Sequence, residues 1–305
     1  MHASSKSTSA GHVQHRFLKL DGDEVFYREA GDRNAPAILL LHGYPCSSYE
    51  FRNLMPQLAD CWHLIAPDFP GCGYSGTPDA FDYDFDGYAA FLIKFTEHLC
   101  IKRFAIYLHD FGSQIGLRLA ITHPERVTAL IIQNGDIYED ELGPMYAGLR
   151  EYFRNPTPEA KAKLGEAISE DGFKHEFLND VDIDVAERIP PDLWTLHWSL
   201  MTPRRCEIAL DVIAGLKENL AWFPRYQAYL RKHQPPTLIV WGPKDGYMPE
   251  GAARAYLRDL PNAELHLFED GGHWLLETHL HPVVKVMRDF LHRLPFQGSP
   301  SPENV

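Results

Sequence analysis

The stretch Tyr107-Leu108-His109-Asp110-Phe111-Gly112-Ser113, YLHDFGS, ends an apolar run on an acid and places a glycine two residues later. The run itself, RFAIYLH (103–109), has the unbroken apolar character of a strand buried on both faces. Beyond the acid, GSQIGLRLAITHPERV (112–127) reads as a helix in which Gly116 permits close packing. A sharp strand-to-helix turn projects one side chain from its tip and needs small neighbours two positions away on each side. The pattern G-x-S-x-G expresses that steric rule with serine at the tip. Here Asp110 takes the tip and Gly112 one small position, while Leu108 stands at the other. A helix N-cap would also explain an aspartate, so the reading depends on what the rest of the chain supplies around it.

Seven other short runs share the strand character: HRFLKL, EVFYREAG, AILLLHG, WHLIAPD, VTALIIQN, TLIVWG and AELHLFE. The first two are short and alternating, as antiparallel edge strands are, and the later ones read as the core of a parallel sheet. Amphipathic helical spacing falls at about 84–100, 111–123, 250–260 and 279–293. The expected fold is therefore α/β, a mostly parallel eight-stranded sheet with helices on both faces. Between Asn134 and Pro235 no strand-like run occurs, while Leu, Trp, Tyr and Met recur at helical spacing. About a hundred residues is too long for a loop in a compact domain, and sheet-like sequence resumes at Thr237. The segment reads as an inserted helical cap at 136–220 over a core domain made of 15–135 and 221–295. Polar tails are expected at 1–14, disordered, and at 296–305.

A formal net charge of −13 on 305 residues argues against nucleic acid or an anionic membrane as the main partner. The Ser-rich start has no apolar core of a signal peptide, and no run is long enough to span a membrane. Five cysteines without metal-type spacing read as reduced thiols, which points to a cytoplasmic protein. Nothing in the composition decides between a monomer and a homodimer.

In doubly wound sheets ligands bind beyond the carboxyl ends of the strands. Four such ends here carry chemistry: LLLHGYP (39–45), LHDFG (108–112), VWGPKD (240–245) and EDGGHW (269–274). They bring forward Asp110, Asp245 and His273, in the order nucleophile, acid, base. With LLLHGYPCSSYEFRNLMPQLA (39–59), IAPDFPGCGYSGTP (65–78) and LHDFGSQIGLRLAITHPERV (108–127), WGPKD and GGHW, the chain resembles the α/β-hydrolase superfamily over nearly all its length. Within that superfamily it looks like the epoxide hydrolase and haloalkane dehalogenase branch. The resemblance implies that Asp110 is the nucleophile, His273 the general base and Asp245 the acid that orients it. It places an oxyanion hole at the backbone N–H groups of Tyr44 and Phe111.

The residue types agree with that chemistry. A carboxylate attacking an ester would form a higher-energy anhydride, whereas displacement at saturated carbon gives an ordinary alkyl ester. His273 would then activate water to hydrolyse the ester, with Asp245 stabilising the imidazolium. A Tyr44–Pro45 bond in the cis form would fix the turn after His42-Gly43. In some dehalogenases the acid succeeds the strand read here as TALIIQN; that position is Asn134, which cannot offset an imidazolium and so favours Asp245.

The leaving group is less legible. Dehalogenases of this branch commonly hold halide with a tryptophan directly after the nucleophile and often an asparagine after His-Gly; those positions are Phe111 and Tyr44 here. Epoxide hydrolases use two cap tyrosines as acids. GLREYFRNP (148–156) resembles the first tyrosine segment, with Leu149 at the tyrosine's position and Tyr152 a turn away. NLAWFPRYQ (219–227) resembles the second, with Phe223 in its place and Tyr226 nearby. Tyr44, Tyr138, Tyr146, Tyr152, Trp194, His197, Trp198 and Tyr226 are the candidate donors. The His197-Trp198 pair resembles the fluoride-holding residues of fluoroacetate dehalogenases, but its place in the cap differs. The leading expectation is an epoxide hydrolase acting on a small, neutral, apolar substrate without metal or organic cofactor. A dehalogenase, or a diverged esterase, biosynthetic catalyst or ligand receptor, stands as the alternative.

Overall fold

A computed structural model describes residues 11–179 and 181–295. The eight strands form one sheet: β1 Gln14–Leu20, β2 Asp23–Ala30, β3 Ala37–Leu41, β4 His63–Pro67, β5 Phe104–His109, β6 Val127–Gln133, β7 Thr237–Trp241 and β8 Glu264–Leu267, in spatial order β1-β2-β4-β3-β5-β6-β7-β8. The β1·β2 and β2·β4 pairs are antiparallel and all others parallel. The first two strands are thus antiparallel as expected, but only β1 is an edge; β2 is covered by β4 on its other side. Most of the two expected tails lies outside the described residues, and Gln14 already belongs to β1.

The helices are α1 Met55–Leu58, α2 Phe85–His98, α3 Phe111–Thr122, α4 Ala147–Arg154, α5 Pro158–Gly165, α6 Glu170–Leu178, α7 Ile183–Ala186, α8 Asp192–Ser199, α9 Pro203–Ala214, α10 Leu216–Leu220, α11 Phe223–His233, α12 Glu250–Asp259, α13 Leu275–Thr278 and α14 Leu280–His292. Alternate residues of each strand face opposite sides. Leu39, Leu41, Ile106, Leu108 and Ile132 meet α2, α3 and α12, whereas Ile38, Leu40, Tyr107 and Ile131 meet α1 and α14. Every residue of β3, β5 and β7 is buried, which explains their unbroken apolar runs. Fully burying one such side chain stabilises by about 1.5–3 kcal/mol.

Helices α4 to α10 fill the stretch between β6 and β7 that lacks strands. Within it α6 packs on α8 and α5 on α9, whereas α11 packs on α3 and α12 of the sheet layer. The insertion is fastened to the strand loops by Phe177, Leu193 and Trp274, which share one apolar cluster with Cys46. Arg205 of α9 adds hydrogen bonds to the carbonyls of Gly73 (2.8 Å) and Ser75 (2.6 Å). The five cysteines form no disulfide. No helix among the described residues is long and apolar enough to cross a membrane.

Parallel registry sets the stage for the site. Leu41 pairs with Leu108, and His109 with Gln133, so β3, β5 and β6 end at one level. The loops that carry Tyr44, Asp110 and Asn134 therefore leave the sheet side by side.

Candidate active site

Asp110 joins β5 to α3 with φ 48° and ψ −126°, a backbone conformation L-residues rarely adopt. The turn is tight because it is hemmed in. A Cβ on Gly112 would lie 2.5 Å from the Leu41 carbonyl oxygen, and one on Gly43 would collide with the Asp110 side chain. Leu108 fits at the other small position because its side chain lies over Gly116, where an added Cβ would strike Leu108 Cδ2. Space that G-x-S-x-G finds on the strand is found here one turn into the helix. Ser113, fully buried, packs against Gly135 beneath the turn.

The Asp110 carboxylate is held by the backbone of the neighbouring loop. Tyr44 N–H donates to Asp110 Oδ1 at 2.7 Å, and the Tyr44–Pro45 bond is cis. Phe111 N–H begins α3, so helix geometry gives it no carbonyl partner four residues back. His42 locks the same loop by donating from Nδ1 to the Gly43 carbonyl (3.0 Å) and accepting at Nε2 from Phe69 N–H (3.2 Å).

His273 approaches from the loop after β8. Its Nε2 lies 3.8 Å from Asp110 Oδ2, beyond hydrogen-bond length, and its Nδ1–H donates to Asp245 Oδ2 at 2.7 Å. Asp245 Oδ1 accepts from the N–H groups of Tyr247 (2.9 Å) and Met248 (3.0 Å). Asn134 donates from Nδ2 to Asp245 Oδ2 at 2.8 Å, while its Oδ1 accepts from Gly242 N–H. The His273 carbonyl accepts from His109 Nε2 (3.1 Å) and Gln133 Nε2 (3.0 Å), and Gln133 is in turn bonded by the Tyr107 hydroxyl. The sequence reading assigns nothing to His109 or Gln133, and it sees Asn134 only as a missing acid. Their signal is nonetheless present: each ends a buried strand with a polar side chain.

The electrostatics reflect this arrangement. Burial disfavours the His273 imidazolium, but Asp245, then Asp110 and Glu176, outweigh it and push its pKa up to about 9. Burial would raise the Asp245 carboxyl; His273, Asn134 and the Met248 N–H hold it below its ordinary value.

A cavity of about 170 Å³ opens over Asp110. Tyr44, Phe111, Tyr146, Glu176, Tyr247 and His273 line it together with aliphatic side chains of the insertion. Tyr44 and Phe111, with ring centroids 6.0 Å apart, form its shared wall with a second, apolar cavity of about 70 Å³.

Of the leaving-group candidates, Tyr44 and Tyr146 line the cavity over Asp110, and the others are engaged elsewhere. The Tyr138 hydroxyl donates to Asp259 at 2.8 Å. Tyr226 is fully buried and bonded to Arg118 and Asn219 between α11 and α3. His197 ties α8 to the strand loops, donating from Nδ1 to Leu193 O (2.6 Å) with Nε2 3.1 Å from Ser47 Oγ. Burial pulls its pKa down to about 4, so it is a neutral structural link. Trp198 packs edge-on against Phe173 at 5.6 Å, Trp194 lies against the Phe177–Leu193 cluster, and Tyr152 rests beside Phe153 on α4. Two lining residues escape the sequence reading. Tyr247 stands two residues after Asp245, on a loop at a strand's carboxyl end, which is a usable signal. Glu176, in the middle of α6, carries none.

Comparison with known proteins agrees with this fold. The α/β hydrolase fold family matches residues 36–280. An uncharacterized hydrolase of Saccharomyces cerevisiae is 35% identical over 269 residues, 87% of this chain and 92% of that protein. A haloalkane dehalogenase of Mesorhizobium japonicum is 28% identical over 283 residues, 87% of each chain. Among solved structures, a haloalkane dehalogenase from Bradyrhizobium elkani superposes with a TM-score of 0.76 at 24% identity, covering 92% of this chain and 98% of that one. An epoxide hydrolase superposes with a TM-score of 0.74 at 22% identity, covering 92% and 99%. At those identities the two structures speak for the fold alone. The extent of the family match and the identity to the yeast hydrolase establish that this chain belongs to the α/β-hydrolase fold family.

Proposed function

We propose that the protein hydrolyses epoxides to vicinal diols through a covalent ester of Asp110. The observation that carries this reading is the position of the Asp110 carboxylate. One oxygen is held by the Tyr44 N–H, and the other faces His273 at 3.8 Å across a cavity with phenol donors. In the first half-reaction Asp110 Oδ2 attacks an epoxide carbon, and a phenol of the cavity, Tyr247 or Tyr146, protonates the departing oxygen. Forming the ester removes the Asp110 charge, one of the charges that raise the His273 pKa. The imidazole thus becomes a competent base only when a base is needed. It then takes a proton from water, and hydroxide adds to Asp110 Cγ. The oxyanion developing on Oδ1 meets the N–H groups of Tyr44 and Phe111, while Asp245 steadies the imidazolium.

A haloalkane dehalogenase is the second reading, favoured by the name of the Mesorhizobium japonicum relative. Against it, no indole lines the cavity over Asp110.

The test is mass spectrometry of His273→Gln protein incubated with matched epoxide and haloalkane panels. Removing the base should trap an Asp110 ester whose mass identifies the substrate class, and Asp110→Asn protein should gain no mass. Epoxide turnover by the unmodified protein without an Asp110 adduct in the variant would sink the covalent mechanism. Adducts from haloalkanes alone would give the second reading.

A further inference from the structure

We propose that Glu176, carried on α6 of the insertion, is the proton reservoir of this site and passes its proton to the leaving oxygen through the Tyr247 hydroxyl. The proposal rests on the epoxide reading and adds to it the source and the return path of the proton. A departing alkoxide needs a full proton, and a phenol that gives one up is left as a buried phenolate. Burial, reinforced by Glu176, already raises the Tyr247 phenol above its ordinary value. Alone it would be a reluctant acid. The Tyr247 hydroxyl lies 3.1 Å from Glu176 Oε1, and both residues line the cavity with Asp110 and His273. Tyr247 is itself fixed, by its backbone N–H on Asp245 and by an edge-to-face contact of 5.5 Å with Tyr146.

A tyrosine–glutamate pair also serves as a plain structural tie. The surroundings argue for more than that. A carboxylate beside Asp110 and Asp245 would add a third negative charge to a small cavity, whereas a carboxylic acid fits there without penalty. The ionisable groups facing Glu176 are His273, Asp110, Asp245, Tyr247 and Tyr44. Burial is the largest influence and raises its pKa to about 7, against the His273 imidazolium and the Tyr247 hydroxyl, which lower it. The group is therefore poised to release and recover a proton near neutrality. Asp136, the other buried carboxyl near a phenol of the cavity, is fully enclosed and held by Gln114 Nε2 at 3.0 Å; it does not line the cavity.

The protons balance over a full cycle that starts from ionised Asp110, the His273 imidazolium and protonated Glu176. Asp110 Oδ2 bonds to carbon, the carbon–oxygen bond breaks, the oxygen takes the Tyr247 proton, and Tyr247 takes that of Glu176. With the Asp110 charge gone, the His273 imidazolium gives its proton to the Glu176 carboxylate and becomes a base. Water then loses one proton to His273 and its hydroxide adds to Asp110 Cγ. On collapse the hydroxyl proton leaves with the diol oxygen, and all three residues regain their starting state. The net reaction is epoxide plus water to diol.

The experiment measures the rate of Asp110 ester formation in single turnovers of His273→Gln protein, using an aryl epoxide and a benzylic bromide of similar size. A bromide leaves without a proton, so it reports on cavity integrity alone. Adding Glu176→Gln is expected to lower the epoxide-to-bromide rate ratio by about 100-fold, the usual lower size of a general-acid contribution. It should also abolish the fall in epoxide rate on the alkaline side. In the His273→Gln background that fall lies above pH 7, because the imidazolium holding the Glu176 pKa down is gone. Tyr247→Phe should have the same effect, and the double variant should be no slower than either. Unchanged ratio and pH profile in Glu176→Gln would overturn the proposal, as would a parallel loss of both rates, which marks a structural tie. Absence of an epoxide adduct in His273→Gln itself is a different result and rejects the epoxide reading.

Discussion

Asn134 occupies a left-handed position (φ 34°) at the end of β6 and gives both ends of its amide to others. Its Nδ2 donates to Asp245 Oδ2, the same oxygen that accepts from His273, and to the Gly242 carbonyl at 3.0 Å. The amide therefore sets the direction in which Asp245 presents its charge. A hydrogen bond to a charged group contributes about 1.5 kcal/mol or more, which corresponds to roughly a tenfold change in rate where that charge matters. Asn134→Ala is accordingly expected to slow ester hydrolysis about tenfold and to leave ester formation much less affected, since in the proposed mechanism the imidazolium is needed only in the second step. Rapid-quench single turnovers would resolve the two. Equal slowing of both steps would instead mean that the amide acts by holding the loop before Asp245. In sequence, an asparagine after a strand registers only as the absence of a carboxylate; its value comes from register with β7, a long-range property.

The β5–Asp110–α3 element is the most legible part of the chain, and for a local reason. Strand, tip and helix are contiguous, and each announces itself through apolar continuity or period. All eight strands and four helices of the sheet layers, α2, α3, α12 and α14, can be read from such runs; the four-residue α1 and α13 cannot. The insertion is different. There and in α11 the periodicity tells that Tyr152, Trp198 or Tyr226 lies on a helix, but not whether the helix turns that residue toward Asp110 or toward another helix. Tyr226 illustrates this, since Arg118 and Asn219 claim its hydroxyl from elements about a hundred residues away in one case and seven in the other. Glu176 and Tyr247 meet from residues 71 apart, and nothing local predicts that meeting. The elbow makes its own prediction. Gly116→Ala places a Cβ against Leu108 and Leu41 side chains, and overpacking of this kind costs about 1–3 kcal/mol. Leu108→Ala alone should cost about 2–5 kcal/mol through the cavity it leaves. Together they should cost clearly less than the sum, because the new methyl enters the vacated space. Urea unfolding of the four proteins tests this; strict additivity would mean that Leu108 and Gly116 do not set the width of the turn between them.

At the scale of the molecule, the insertion and the sheet layers are held together across the site by groups whose protonation differs between folded and unfolded chains. His197 links α8 to the loop after β3 and is neutral when folded, with a pKa near 4 against 6.5 unfolded. Between those values the unfolded chain binds the extra proton, so this group makes stability rise with pH. Glu176 acts in the opposite sense. Its folded pKa of about 7 exceeds the unfolded 4.5, so the folded chain holds a proton that the unfolded chain has released across that window. Its contribution is present below pH 4.5 and is lost as pH rises toward 7. Glutamine keeps the shape and a donor for Tyr247 but does not ionise. The stability of Glu176→Gln relative to the unsubstituted protein should therefore climb steadily from pH 4.5 to pH 7, the same interval that separates the two pKa values. Urea midpoints at a series of pH values give the comparison directly, and the difference isolates Glu176 because His197 titrates identically in both proteins. A difference running the other way would mean that the folded site stabilises the Glu176 carboxylate through His273. The residue would then be an anchor for the imidazolium and hold no proton to lend.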